Sequence, residues 1–151
     1  MQVYRIFPAR YRESAFTGMG GLYAARRWNH LGGLMVYTAT SRALAALEYF
    51  VNLEPGEAPD DLLMAEATLP DDTIETLDPA QLPSDWRALD NLACRDRGSS
   101  WAASRRSLAL RVPSIVVEGD SNVLIHPTHP DFSRLALADP VPFRFDPRMF
   151  R

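Results

Sequence analysis

The sequence predicts an α+β fold in one compact domain, with a mixed or largely antiparallel sheet and a few helices. Three observations carry this. The 151 residues fit one core and leave no room for two. Apolar residues make up 46% and charged residues 23%, the balance of an ordinary globular chain rather than a disordered one. Short β-rich runs recur along the chain, and only a few segments between them have helical spacing.

Val3-Tyr4-Arg5-Ile6-Phe7 alternates and stops at Pro8, which reads as a strand. Residues 9–33 read as a long irregular segment punctuated by Gly18, Gly20, Gly21, Gly32 and Gly33. Leu34 to Thr40 is rich in β-formers and reads as a second strand. Ser41 is the expected N-cap of a helix from Arg42 to about Asn52. Leu44, Leu47 and Val51 define its expected buried stripe, and Glu48 falls where that stripe calls for a leucine. A rotated helix facing Ala43, Leu47 and Phe50 inward would leave Glu48 at the edge. Either way the carboxylate is off the obvious solvent face, a costly place unless it is paired or has a task.

Leu53 to Asp61 reads as a solvated acidic loop, Leu62 to Leu69 as a strand and Thr73 to Leu77 as a short one. Trp86 is expected to open an amphipathic helix, with a second through Trp101 and Leu108 weakened by Gly98. Leu108–Val112, Ser114–Val117 and Asn122–Ile125 read as strands, the last two joined by a turn at Glu118-Gly119-Asp120-Ser121. Val141 to Phe145 reads as an edge strand, with Pro142 suited to an edge.

Charge and composition exclude several functions. Residues 1–50 carry a net +4, residues 51–100 a net −9 and residues 101–151 a net +2. All 16 basic residues are Arg, so every cation is a planar fork and none can form a Schiff base. An acidic chain is a poor nonspecific DNA binder. No apolar run approaches the ~20 residues of a membrane span. The start, Met1 to Arg5, lacks the pattern of a signal peptide, so the cytoplasm is the expected compartment. Walker A, Rossmann and G-x-S-x-G patterns are absent. His126, His129 and Asp131 are interrupted by Pro127 and Pro130, which favours turn roles over a metal site; no metal is expected. Cys94 reads as a half-buried helix residue rather than a nucleophile.

One constellation suggests chemistry. Arg27 ends the glycine-bearing segment, Tyr37 lies on the next strand and Glu48 on the helix after it. An Arg fork suits phosphate, an aromatic stacks on a planar ring, and a carboxylate favours cationic character at a sugar carbon. That set fits a nucleotide with a leaving group. The competing reading is a buried Arg27–Glu48 ion pair with Tyr37 and Trp28 in the core.

An ordered set of short motifs spans nearly the whole chain. It runs from Val3-Tyr4-Arg5-Ile6 through Arg27-Trp28-Asn29, Val36-Tyr37-Thr38-Ala39 and Ala43-Leu44-Ala45-Ala46-Leu47-Glu48. It continues through Val112-Pro113-Ser114-Ile115-Val116-Val117, Asn122-Val123-Leu124-Ile125 and His129-Pro130-Asp131-Phe132. This set resembles the RES-domain family, toxins of bacterial toxin–antitoxin pairs named for an Arg, a Glu and a Ser. The resemblance implies a fold similar to ADP-ribosyltransferase toxins. It implies cleavage of NAD at the nicotinamide–ribose bond, with phosphate or water as acceptor and no cofactor beyond these substrates. It implies an Xre-like helix-turn-helix antitoxin that covers the active-site entrance, binds DNA itself and builds a higher-order complex.

By the same resemblance Arg27 binds the NAD phosphates or helps close the pocket, Tyr37 stacks near nicotinamide and Glu48 steadies the ribosyl cation through ribose hydroxyls. Ser114 is the named serine, with Ser121 as the alternative. Trp28, Asn29 and Asn122 are further candidate substrate contacts. Ala25-Arg26 stands where small residues, often glycine, are expected, which leaves Arg26 as the alternative to Arg27. Two other functions stay open: an ADP-ribosyltransferase with a macromolecular target, and a non-catalytic partner-binding module.

Overall fold

A computed structural model describes residues 1–151. Eight strands form one mixed sheet: β1 (Gln2–Pro8), β2 (Val36–Ala39), β3 (Leu62–Thr68), β4 (Ile74–Thr76), β5 (Ala109–Pro113), β6 (Ser121–Ile125), β7 (Ala136–Leu137) and β8 (Val141–Phe143). Their order is β4-β5-β6-β2-β1-β3, and both β7 and β8 lie on the outer edge of β3. Only β4 and β5 run parallel. Three helices complete the fold: the short α1 (Gly20–Tyr23), α2 (Arg42–Phe50) and α3 (Leu92–Ser104). The α+β class expected from the strand-rich pattern is the one observed.

The sheet is tightly laced in two halves and barely joined between them. β1 pairs with β3 from Gln2–Thr68 to Pro8–Leu62, and β2 pairs with β6 from Val36–Ile125 to Ala39–Asn122. Between β1 and β2 a single register pair remains, Tyr4 with Ala39. The strands part at Arg5, and the seam between the halves lies in the middle of the sheet.

Side-chain alternation sorts the core. Val3, Val36, Val123, Ile125 and Ala109 pack on one face with Leu69, Leu108 and Leu135. The other face carries two clusters. One gathers Trp28, Trp86, Cys94 and Trp101 against Leu110, Val112 and Leu124. The second packs Leu44 and Ala45 of α2 on Ile6, Ala39, Leu62, Met64 and Phe145. α2 and α3 therefore cover neighbouring parts of one face, with Tyr37 and Asn122 on the strands between them.

Several local expectations change. The buried face of α2 is Leu44, Ala45 and half-buried Glu48, while Leu47 is 37% and Val51 56% exposed. Neither predicted stripe forms, because the helix rolls its small residues onto the sheet. Ser41 does cap it, accepting the Leu44 N–H at 3.0 Å. Trp86 opens no helix. Its ring is buried in a turn, Asp90 takes a left-handed φ of 55°, and α3 starts only after Asn91, whose side chain accepts the Cys94 N–H at 3.2 Å. A single helix then runs through Gly98 and Trp101 and ends before Leu108. Residues Ser114–Val117 are not a strand. The Ser114 hydroxyl accepts the Val116 and Val117 amides, each at 3.1 Å, which turns the chain out of the ladder.

Gly98 explains how α3 sits so close to residues 26–30. A Cβ there would lie 1.9 Å from the Trp28 carbonyl oxygen, a backbone atom with nowhere to go. Gly98→Ala is therefore expected to cost ~1–3 kcal/mol. The check is the denaturant midpoint, which should fall with an unchanged slope.

Candidate functional site

The site is built where α2, the β5–β6 connection and residues 26–29 meet over β2 and β6. Glu48 sits on the second turn of α2, half-buried. Its Oε1 accepts a hydrogen bond of 2.9 Å from the Ser114 hydroxyl. Ser114 is 1% exposed. A hydroxyl has two acceptor lone pairs and one proton. The Val116 and Val117 amides take both lone pairs, so the proton has one direction left, toward Glu48. The Ser121 hydroxyl makes no hydrogen bond to Glu48; its backbone carbonyl accepts from Thr40.

Burial pushes the Glu48 carboxyl above the ordinary value of 4.5; Ser114, the Asn122 amide and the Arg27 charge pull against it, in that order. Asn122 stands on β6 opposite Ala39 and also donates to the Thr38 carbonyl at 3.3 Å. The carboxylate is thus partly stripped of water yet held by donors.

Tyr37 points from β2 toward residues 28 and 29. Its hydroxyl donates to Asn29 Oδ1 at 2.7 Å and accepts the Trp28 N–H at 3.1 Å. Asn29 Nδ2 donates to the carbonyls of Ala24 and His30 at 3.2 and 3.0 Å, so its amide is fixed. Burial drives the Tyr37 pKa well up, against the Trp28 amide and the charges of Arg26, Arg95 and Arg27. The hydroxyl stays protonated and serves as a fixed strut, not a base.

Two residues expected as substrate contacts, Trp28 and Asn29, are buried beneath Tyr37. The Trp28 indole belongs to the core, 3% exposed, and Asn29 is 1% exposed. Both act on the site by holding Tyr37.

Arg27 makes no ion pair with Glu48. Its Nη1 instead donates to the carbonyls of Trp86 and Ala88 at 2.8 and 3.1 Å, fastening the segment before α3 beside the site. The Arg27 charge still reaches Glu48 and Tyr37. Arg26 is exposed and makes no side-chain hydrogen bond. Cys94 is fully buried and burial pushes its thiol up, which keeps it unreactive. His129 accepts the Asp131 N–H on Nδ1 at 3.0 Å and meets the Arg105 carbonyl on Nε2 at 3.0 Å, as a turn residue does.

Two open hollows lie beside α3 rather than at Glu48. Spaces of about 230 and 310 Å³ flank α3 near Trp101 and near His126, away from Glu48. The site lies on the face of the sheet that α2 and α3 share, with Glu48 on its α2 side.

A model of the RES domain matches residues 2–146. The chain belongs to the RES-domain family. A protein named Toxin Res from Yersinia enterocolitica is 36% identical over 151 residues, 99% of each chain. A protein named Prs ADP-ribosylating toxin from a Sphingobium species is 37% identical over 145 residues, 93% of this chain and 90% of its own. The structure is also similar to a chain in the crystal structure of the Mycobacterium tuberculosis MbcT–MbcA toxin–antitoxin complex. The TM-score is 0.73 at 17% identity, covering 99% of this chain and 86% of that one. That likeness places the RES-domain sheet and helices in a known architecture.

One residue of this RES domain carried a sequence signal that motif reading passes over. Arg5 stands between Val3 and Phe7 on the inward face of an alternating strand, where an apolar residue belongs. Its Nη1 donates to the Tyr37 carbonyl at 2.9 Å.

Two outcomes follow for the Glu48–Ser114 pair. The folded carboxyl has a raised pKa, so folding disfavours its ionised form. The penalty is absent below the unfolded pKa and grows as pH rises through the folded value. Glu48→Gln is expected to raise the melting temperature at pH 7 by about 2–4 °C, on the order of 1 kcal/mol or less given the solvent contact Glu48 keeps. The gain should vanish below about pH 4. Ser114→Ala strands the Val116 and Val117 amides and is expected to cost ~1–3 kcal/mol in denaturant unfolding.

Proposed function

We propose that the protein is the toxin of a type II toxin–antitoxin pair and that it depletes NAD by cleaving the nicotinamide–ribose bond. The observation that carries this reading is Glu48, half-buried, with the Ser114 proton aimed at it and a tyrosine strut and an arginine alongside. The names of the Yersinia and Sphingobium relatives support toxin activity.

In the proposed reaction the bond from the ribosyl anomeric carbon to the pyridine nitrogen breaks first. Its electron pair leaves with nicotinamide, which becomes neutral. Positive charge develops on the sugar, and the Glu48 carboxylate stabilises it at close range in a partly dried groove. Phosphate or water then forms the new carbon–oxygen bond, and the acceptor's proton passes to solvent. Ser114 keeps the carboxylate aimed and lowers its affinity for protons. Tyr37, locked by Asn29 and Trp28, offers a ring edge or face for nicotinamide.

An antitoxin partner fits the groove's surroundings. Tyr23, Leu31, Leu89 and Leu92 are exposed apolar side chains on segments beside Arg27 and α3. Such a rim suits a protein that seals the entrance. DNA contact is assigned to that partner, an Xre-like helix-turn-helix protein, since this chain is acidic. Assembly into a larger toxin–antitoxin complex and a cytoplasmic site of action are part of the same reading. No helix is long and apolar enough to cross a membrane.

A second reading is transfer of ADP-ribose to a macromolecule, favoured by the name of the Sphingobium relative. The two share every step before the acceptor attacks. Purified protein incubated with NAD, with and without phosphate, separates them. The expected result is nicotinamide release, abolished in Glu48→Gln. A phosphorylated ADP-ribose formed only with phosphate identifies a phosphorylase, and free ADP-ribose a glycohydrolase. A labelled protein band with no small product would favour the transferase. No release and no label from folded, antitoxin-free protein would remove both.

A further inference from the structure

Residues 26–29 form a turn that serves the site and has little of its own to hold it. The Arg26 N–H donates to the Asn29 carbonyl at 3.1 Å, and that single bridge belongs to no strand. What the site uses points out of the turn. The Arg27 fork reaches the Trp86 and Ala88 carbonyls, and the Trp28 N–H and Asn29 Oδ1 reach the Tyr37 hydroxyl. Support comes from one face of α3. Asp96 Oδ1 meets His30 Nε2 at 2.6 Å, Ser99 Oγ accepts the His30 N–H at 3.1 Å, and Gly98 lets the Trp28 carbonyl lie against the helix. These three hold the far end of the turn. Arg95 holds the near end, where its Nε donates to the Arg26 carbonyl at 2.9 Å.

That bond acts on Arg27 through covalent geometry. The Arg26 carbonyl and the Arg27 N–H share one planar peptide, so holding the oxygen fixes the plane from which Arg27 departs. Arg95 Nη2 also donates, to Asp90 Oδ1 at 2.9 Å. Asp90 carries the left-handed φ of 55° just before α3. Arg95 therefore ties residue 26 to residue 90, while Arg27 ties its own segment to residues 86 and 88. The two guanidiniums close one frame from opposite sides. The Arg95 side chain is 18% exposed and that of Asp90 84%. An ion pair to so exposed an acid contributes little by its charge. What Arg95 adds is a planar fork that reaches two partners at once, which a lysine does not offer.

We propose that Arg95 is a positioning residue for NAD binding, setting the Arg27 fork and the Tyr37 lock through the Arg26 carbonyl and Asp90. The proposal rests on reading the site as one for NAD. Glu48 and Ser114 stand on α2 and the β5–β6 connection, outside this frame. Substrate binding should therefore depend on Arg95, and bond cleavage should not.

The test compares the full-length wild type with Arg95→Met, Arg95→Lys and Arg97→Met. Arg97, on the same helix, donates to Gln81 instead, and its loss is the control. Steady-state nicotinamide release gives KM and kcat. Nitrogen–proton NMR follows the Arg27 guanidinium and the Asn29 side-chain amide. Arg95→Met is expected to raise the KM for NAD by about fivefold or more with kcat nearly unchanged, as loss of ground-state binding does. The Arg27 and Asn29 resonances should move while those of β1 and β3 stay. Arg95→Lys keeps the charge felt at Tyr37 and should recover part of the loss at most. Arg97→Met should match wild type. A wild-type KM or unmoved resonances in folded Arg95→Met overturn the proposal. So does full recovery in Arg95→Lys, which would make Arg95 a source of field, and so does a fall in kcat at unchanged KM. Should Arg95→Met fail to fold, Arg95→Lys decides, and a wild-type KM with unmoved resonances there overturns the proposal. If wild type releases no nicotinamide, the NAD reading alone fails, and the Arg27 and Asn29 resonances decide whether Arg95 sets the frame.

Discussion

The Ser114 hydroxyl accepts two amides from its own turn and gives its one proton to Glu48, and the site depends on that saturation. It ties α2 to the connection between β5 and β6, two parts of the chain 66 residues apart. Without the turn, residues 114–117 would continue as strand and the hydroxyl would have a choice of partners. With it, the carboxylate is aimed by backbone geometry, the stiffest support a protein offers. The same economy appears at Tyr37. Its hydroxyl is closed by an asparagine side chain whose own amide is closed by two carbonyls. Both struts are neutral, so neither consumes the charge that the groove holds for its ligand.

Charge in the groove is left unbalanced. Glu48 faces partners that donate protons but no cation in contact, and Arg5, Arg26 and Arg27 face no carboxylate in contact. A stability-driven sequence would join these into ion pairs or replace them with apolar residues. Keeping them apart costs stability and leaves unpaired charge of both signs around the site.

Much of this is readable from sequence, for physical reasons. Strand alternation and the Ser41 cap follow from local chemistry, and β1, β3 and the start of α2 lie where those rules put them. Glu48 is conspicuous because an acid occupies a helix face otherwise apolar. The failures are tertiary. The roll of α2 depends on how closely Ala45 can approach the sheet, which no periodicity reveals. Trp86 looks like a helix start, but its ring is needed in the core and Asp90 breaks the backbone. Ser114–Val117 has β-branched residues, yet one side-chain oxygen outcompetes the ladder. Trp28 and Asn29 are legible as part of the site and not legible as supports, because support lies in which atoms are consumed. Arg5 carries a signal, an ionic residue in an apolar alternation, that only a structure distinguishes from an edge position.

The pH dependence of nicotinamide release, measured as kcat/KM for wild type and for Ser114→Ala, tests the central claim most directly. The acid limb should report the Glu48 carboxyl of the free protein, so its midpoint lies above the ordinary glutamate value. Removing the Ser114 hydroxyl removes the donor that favours the carboxylate, and the midpoint moves higher still. An acid limb that stays in place in Ser114→Ala would mean that a group other than the Ser114–Glu48 pair governs the reaction.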